Sequence, residues 1–415
     1  MNGWVEKLLS EIADINMGQS PDSKYYTEEE QGMPFIQGCA EFTTRHPKPK
    51  LNCTQIKKVA KTDSILFSVR APVGRINIAD RDYVIGRGLA SISAKAIDPS
   101  LLEKCLVFRE ADFRIASQGS TFEAINSTEL SGWPIRFPED PLEQQIIAKL
   151  LSQVERAIEQ TESLIAKQQR IKTGLMQDLL TKGIDEHGNI RSEATHAFKD
   201  SPLGRIPVEW NVRQLGEIAK QITSGSRGWA SYYNSEGAIF LRIGNLTREH
   251  INLRLDDLVF VQVPESSEGK RTSVREGDLL ISITADLGII GVISKDFSEA
   301  YVNQHIALVR LDCHAVYPRF VGHLLNGFVG ISQIDKLNES GAKAGLNLPT
   351  VAKLLIVVTK MKEQERIAEL LDTADKQIER DKANLRKLVH QKTGLMHDLL
   401  TGKRRTTPLL AQTAS

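Results

Sequence analysis

The sequence predicts a mixed α and β chain built as a tandem duplication, each copy a globular domain followed by one long helix. Three observations predict this: a gapless helical repeat at a separation of 220 residues, weaker paired strings ahead of each helix, and a length too great for one core. Chains beyond about 250–300 residues divide into domains, so 415 residues suit two domains of about 150 residues plus something extended.

The first helical copy, Glu143 to Thr181, reads EQQIIAKLLSQVERAIEQTESLIAKQQRIKTGLMQDLLT. The second, Glu363 to Thr401, reads EQERIAELLDTADKQIERDKANLRKLVHQKTGLMHDLLT, and 18 of 39 aligned positions are identical. Apolar residues step by alternate fours and threes: Ile147, Leu151, Val154, Ile158, Ile165, Leu175 and Leu179, matched by Ile367, Leu371, Ala374, Ile378, Leu385, Leu395 and Leu399. That spacing makes a coiled-coil seam. Polar residues interrupt it at matching places, Thr161 with Asp381 and Lys172 with Lys392, which points to polar positions setting register at some cost in stability. Neither copy contains proline, Pro141 precedes the first, and Gly183 and Gly402 stand where a helix would stop. At about 1.5 Å per residue each helix spans about 60 Å, longer than a turn of B-DNA at roughly 34 Å. Two such helices make a rod rather than a core.

Ahead of each helix the paired strings come in the same order. WVEKLLSEIA (Trp4 to Ala13) matches WNVRQLGEIA (Trp210 to Ala219). ILFSVRAPVG (Ile65 to Gly74) matches LLISITADLG (Leu279 to Gly288), a buried-strand pattern running into a glycine turn. GRGLASI (Gly86 to Ile92) lies where NQHIALV (Asn303 to Val309) lies. The expected layout is a domain over 1–140, a helix over 141–184, a linker over 185–207, a second domain over 208–360, a second helix over 361–405 and a flexible tail over 406–415. The linker is polar, with glycine and proline and no apolar period.

Composition excludes some classes. No run approaches the 18 apolar residues of a membrane span. The opening Met1-Asn2-Gly3-Trp4-Val5-Glu6-Lys7 has no secretory pattern, so a cytoplasmic location is expected. Cys39, Cys53, Cys105 and Cys313 are isolated, which argues for free thiols and against a disulfide framework or a zinc site. A net charge of +1 says nothing for or against DNA, since a binder needs basic residues gathered on one face rather than a basic total.

An enzyme should leave residues behind. The chain has no GxGxxG after a strand and no GxxxxGK[ST]; Ser340-Gly341-Ala342-Lys343 lacks the leading glycine that a phosphate cradle needs. It has no Asn/Asp-Pro-Pro-aromatic string of the kind that grips a flipped adenine, and no convincing Asp…Glu-x-Lys nuclease set. No catalytic and no metal residue is expected. His323, on an apolar stretch, reads as a satisfied core histidine.

The turns do carry residue types that read base edges: Arg and Lys for guanine, Asn and Gln for adenine, hydroxyls for either. In the first domain these are Gln19, Ser20 and Lys24, then Arg70 and Arg75 around Ala71-Pro72-Val73-Gly74, then Arg87 between two glycines. Lys48, Lys50, Lys57, Lys58 and Lys61 form a basic stretch suited to phosphates. In the second domain they are Ser226, Arg227, Arg242, Asn245, Thr284, Gln304, His305 and Lys343.

A globular domain, a PLEQQIIAKLL-type helix ending in KTGLMQDLLT, a linker of the form SPLGRIPVEW, and the pattern again together resemble the specificity subunit of type I restriction-modification systems, over essentially the whole chain. The resemblance implies α/β target-recognition domains, each docking on one half of a split double-stranded DNA site, and two long helices packed antiparallel that set the spacing. It implies two methyltransferase subunits docked on the helical regions and two restriction-translocase subunits. S-adenosylmethionine, ATP and Mg would then belong to those partners, with no cofactor on this chain. Because the two domains differ in most loop residues, a bipartite, asymmetric target is expected. Thr284 stands where the first domain has Arg70, so residue roles transfer poorly between halves. A second reading, a coiled-coil adaptor whose heads bind protein or glycan, fits the same charge; a third is a standalone nuclease with fused recognition domains. A positive concave face and steep salt dependence mark the DNA reader.

Overall fold

Ile65–Ser68 and Leu279–Ser282 are buried at every position, as strands covered on both faces must be. In the computed structural model the described residues are 3–117, 124–225, 228–263, 271–339 and 346–406. The chain divides into two units, one of residues 1–162 with 383–415, the other of residues 163–382. The expected boundaries fell between head and helix; the observed one falls inside both helices. Pro141–Thr181 gives its first half to the first unit and its second half to the second, and Met361–Leu400 does the reverse.

In the first unit an antiparallel sheet runs Ala13–Met17, Leu89–Ala94, Ile65–Ser68, Ile76–Ile78. Strand alternation gives it two apolar faces. Ile65, Phe67, Ala90 and Ile92 meet the helical residues Leu101, Phe113, Ile147, Leu151 and Leu399. Leu66 and Leu89 face Ile36, Tyr83 and Ile85 of a second, five-stranded sheet. There Met33–Ile36 and Tyr83–Ile85 run parallel, which puts both strand ends at the same edge. Trp4–Leu8 pairs with Pro134–Pro138.

The second unit repeats this plan. Ala219–Ser224, Ile306–Leu311, Leu279–Ser282 and Ile290–Val292 form the antiparallel sheet. Leu279 and Ile281 turn to Phe320, Leu324, Ile367 and Leu371, while Leu280 and Leu308 turn to Leu241 and Val302. Ala238–Leu241 and Ala300–Val302 are again parallel, and Asn211–Gln214 pairs with Leu355–Val358.

The repeated helix strings have structural reasons. Gln144 accepts from the Asp98 amide at 2.8 Å and donates to the Pro138 carbonyl at 2.9 Å. Gln364 accepts from the Tyr317 amide at 2.8 Å and donates to the Thr359 carbonyl at 2.7 Å. Glu143 binds Arg405 at 2.7 Å, and Glu363 binds Arg191. Gly402, with φ +72, closes its helix against Trp4; Gly183, with φ +66, closes the other against Trp210. A side chain at either would be strained and would meet the indole.

Within each unit the two helix segments are antiparallel. Lys392 reaches Glu155 at 2.9 Å in the first, and Lys172 reaches Asp375 in the second. The other polar interruptions behave differently from the expectation: Thr161 bonds back to the Ala157 carbonyl and Asp381 takes Gln377, each within its own helix. The stretch 185–207, expected as a linker, is ordered. Ile184 bridges Ile190, Phe198–Ser201 pairs with Gly204–Pro207, and Arg191 is buried. Polar composition hid this because the order comes from hairpin pairing and one buried ion pair, not from an apolar period. Among the described residues no helix is long and apolar enough to cross a membrane.

Candidate functional site

At the edge of the first head where the two sheets meet, four chain segments converge. Gly18 donates to the Leu89 carbonyl at 2.8 Å, Gln19 to Ile85 at 3.0 Å, Gly86 to Ile36 at 2.8 Å and Val69 to Gly88 at 3.0 Å. The approach is close enough to demand glycine. A Cβ on Gly18 would lie 2.2 Å from the Gly86 carbonyl oxygen, and one on Gly88 2.7 Å from that of Gln37. Ser20 Oγ lies 3.0 Å from Gln37 Nε2 and accepts from the Arg87 amide at 3.1 Å.

This frame brings Gln19, Ser20, Arg70 and Arg87 together, with Gln19, Arg70 and Arg87 exposed. Lys24 lies in the turn Ser23–Tyr25 that follows, its ammonium 5.0 Å from the Tyr25 ring. Burial, aided by Cys53 and Asp22, pushes the neighbouring Tyr26 hydroxyl up, while Arg87 acts the other way. Arg75 is not gathered in: it lies 3.9 Å from Glu110 on the helix side. Of the five lysines expected at phosphates all are exposed, and Lys61 is held by Asp82 at 2.7 Å.

The second head builds the same frame. Asn303 donates to Leu241 at 3.0 Å and Ile283 to His305 at 2.9 Å. Gly225 is as tightly placed as Gly18, a Cβ there lying 2.0 Å from the Val302 carbonyl oxygen. What hangs on the frame differs. Thr284 Oγ1 lies 2.7 Å from His305 Nδ1, and Gln304 Nε2 lies 3.1 Å from His305 Nε2. With His305 as the Nδ1–H tautomer, Gln304 Nε2 donates to the ring, the Thr284 hydroxyl is left to donate outward and Gln304 Oε1 to accept.

One expected reader serves the fold instead. Asn245 is buried; its Oδ1 takes the Arg242 amide at 2.9 Å and its Nδ2 reaches the Arg254 and Asp257 carbonyls. A side chain spent on backbone cannot also read a base. Arg242 itself pairs with Asp257 at 2.9 Å. Ser226, Arg227 and Lys343 lie outside the described residues.

The structure adds residues that the sequence reading passed over. Gln37 is the hub of the first cluster. Tyr25 and Tyr232 each end a 3-10 turn, and Tyr26 and Tyr233 open the matching short strands that follow, with Tyr26 stacked on Phe35 at 4.6 Å and Tyr233 5.8 Å from Phe240. The doubled Tyr-Tyr was a visible signal. Away from the loops, His323 is fully buried with Nε2 2.7 Å from Asp372 Oδ1. Asp375 lies close to both, but Arg319 takes Asp372 and Lys172 takes Asp375, so the group is an ion-pair network.

Residues 1–168 and 207–388 match the family model described as type I restriction modification DNA specificity domain. The putative type I restriction enzyme MjaX specificity subunit of Methanocaldococcus jannaschii is 38% identical over 170 residues, 40% of this chain and 40% of that relative's length. The MjaVIII specificity subunit of the same organism is 26% identical over 76% of this chain and 72% of its own. Among solved structures, the type I restriction-modification S subunit from M. genitalium superimposes with a TM-score of 0.64 at 17% identity, covering 95% of this chain and 96% of that one. A chain from a study of complex assembly and conformational transition of the type I R-M system gives 0.55 at 17% identity, covering 96% and 98%. These two likenesses concern the fold.

Proposed function

The chain belongs to the type I restriction-modification DNA specificity family, and on that premise we propose that it reads a bipartite, asymmetric DNA target, one half-site per head. The observation that carries this reading is the frame built twice with unlike side chains: Gln19, Arg70 and Arg87 in the first head, Thr284, Gln304 and His305 in the second. Exposed arginines on closely packed turns present a fork that suits the O6 and N7 of guanine in the major groove; Gln304 and Thr284 offer single donors and acceptors suited to adenine or thymine edges. Lys24 and the lysines near Lys50 and Lys57 would hold phosphates and position the head without choosing sequence.

The chain supplies recognition, and chemistry falls to others. Methyl transfer from S-adenosylmethionine and ATP- and Mg-dependent restriction would belong to two methyltransferase and two restriction-translocase subunits, joined to it in the cytoplasm. The chain itself would bind no cofactor or metal.

Exchanging residues 1–140 for the first head of a relative tests this. Sequencing the methylated sites of cells that express the hybrid with its modification subunits should show one half-site replaced and the other unchanged. Loss or change of both halves together would refute separate readers.

A further inference from the structure

We infer that two lysine–carboxylate clamps, the buried pair Lys172 with Asp375 and the half-buried pair Lys392 with Glu155, lock the register of the helix pair and so fix the number of unread base pairs; this rests on the DNA-reading function above. Each clamp lies within one unit. Lys172 and Asp375 are nearly inaccessible, and Glu155 is largely covered. The clamps are one feature made twice: Lys392 follows Lys172, and Asp375 follows Glu155, by the same 220-residue step as the helix repeat. The residue numbers of each pair add to the same total, so one register makes both clamps and any slip breaks both.

Each clamp also reaches its head. Lys172 donates to the Glu249 carbonyl at 2.6 Å, and one turn from Asp375 the Asp372 carboxylate takes Arg319 and His323. In the first unit Glu155 takes Lys104 of Pro99–Phe108 as well as Lys392. Burial works to raise the Glu155 carboxyl, and the two lysines outweigh it and keep the group ionised.

Apart from Thr161 and Asp381, which bond within their own helices, the remaining seam is made of leucine, isoleucine, valine and alanine, which accept several registers at similar energy. A slipped register would bury Lys172 and Asp375 unpaired, which costs far more than an apolar mismatch. Since one heptad is about 10 Å of helix, about three base pairs of B-DNA, a register error becomes a spacer error.

The test is the triple variant Lys172→Met, Asp375→Leu, Lys392→Met, which leaves no buried charge alone because Glu155 keeps Lys104. The full chain with its modification subunits is assayed for binding to target duplexes whose spacers differ by up to three base pairs. Circular dichroism and melting follow folding separately. Wild type should prefer one spacer by at least about tenfold, and the folded variant should fall to about twofold or less. A folded variant that keeps wild-type spacer selectivity overturns the clamp role. Should the triple variant fail to fold, Lys392→Met alone supplies the same readout. Wild type that binds no bipartite duplex would sink the DNA-reading function instead.

Discussion

The first head sets Arg70 and Arg87 where the second sets Thr284 and Gln304, on backbone hydrogen bonds that recur where both heads are described: Gly18, Gly86 and Val69 donate in the first as Gly225, Asn303 and Ile283 do in the second. The frame leaves no room for a Cβ at Gly18 in the first head or at Gly225 in the second, whereas the tips are exposed at Arg70 and Arg87 and half-buried at Thr284 and Gln304, which rest on His305. On the reading proposed above, such a division would let the readout change without disturbing the core.

Where the heads meet their helices they also differ, in how completely each junction is bonded. Glu363 takes Arg191, the Ile184 amide at 3.0 Å and the Trp210 indole at 3.3 Å, all buried. Among the described residues Glu143 takes Arg405, which is a third exposed, and the buried Trp4 indole nitrogen finds no acceptor. Glu363→Ala should therefore destabilise by about 3–5 kcal/mol, since a buried arginine is left unpaired. Glu143→Ala should cost about 1–3 kcal/mol, since Arg405 can hydrate. Calorimetry of the two variants checks the order, and equal losses would break the asymmetry.

A smaller effect concerns acid. Burial acts to raise Asp372, but His323 and Arg319 outweigh it and hold the carboxyl at about 2, below the usual 3.8. Its folded value is the lower one, so its stabilisation is complete above the ordinary carboxylate range and is lost as pH falls from 3.8 toward about 2. The first head has Ser152 at the matching position of its helix. Asp372→Asn should flatten the fall in melting temperature over that window; an unchanged acid slope would mean that the network contributes nothing there.

Much of this was legible in the sequence. The repeat gave both long helices and the duplicated plan, because helical periodicity and end glycines are local signals. Arg70, Arg87, Thr284, Gln304 and His305 stood out as turn residues next to strands, and the structure gathers them by head. Asn245 was misjudged because its backbone partners at Arg254 and Asp257 are set by a loop's return, which composition does not encode. Gln37 was missed for the same reason, its partner Ser20 lying 17 residues away. The division of each helix between two units is a long-range property that helical period alone cannot locate.

Selection of bound DNA from a random duplex library, by the full chain with its modification subunits, tests the central claim most directly when run on wild type, Arg87→Ala and Gln304→Ala. Wild type should yield two unlike blocks at a fixed spacing. Arg87→Ala should relax one block and Gln304→Ala the other, each by about 1–3 kcal/mol of discrimination at a base pair. If either substitution relaxed both blocks, or if wild type selected a single continuous block, the account of two separate reading heads would be contradicted.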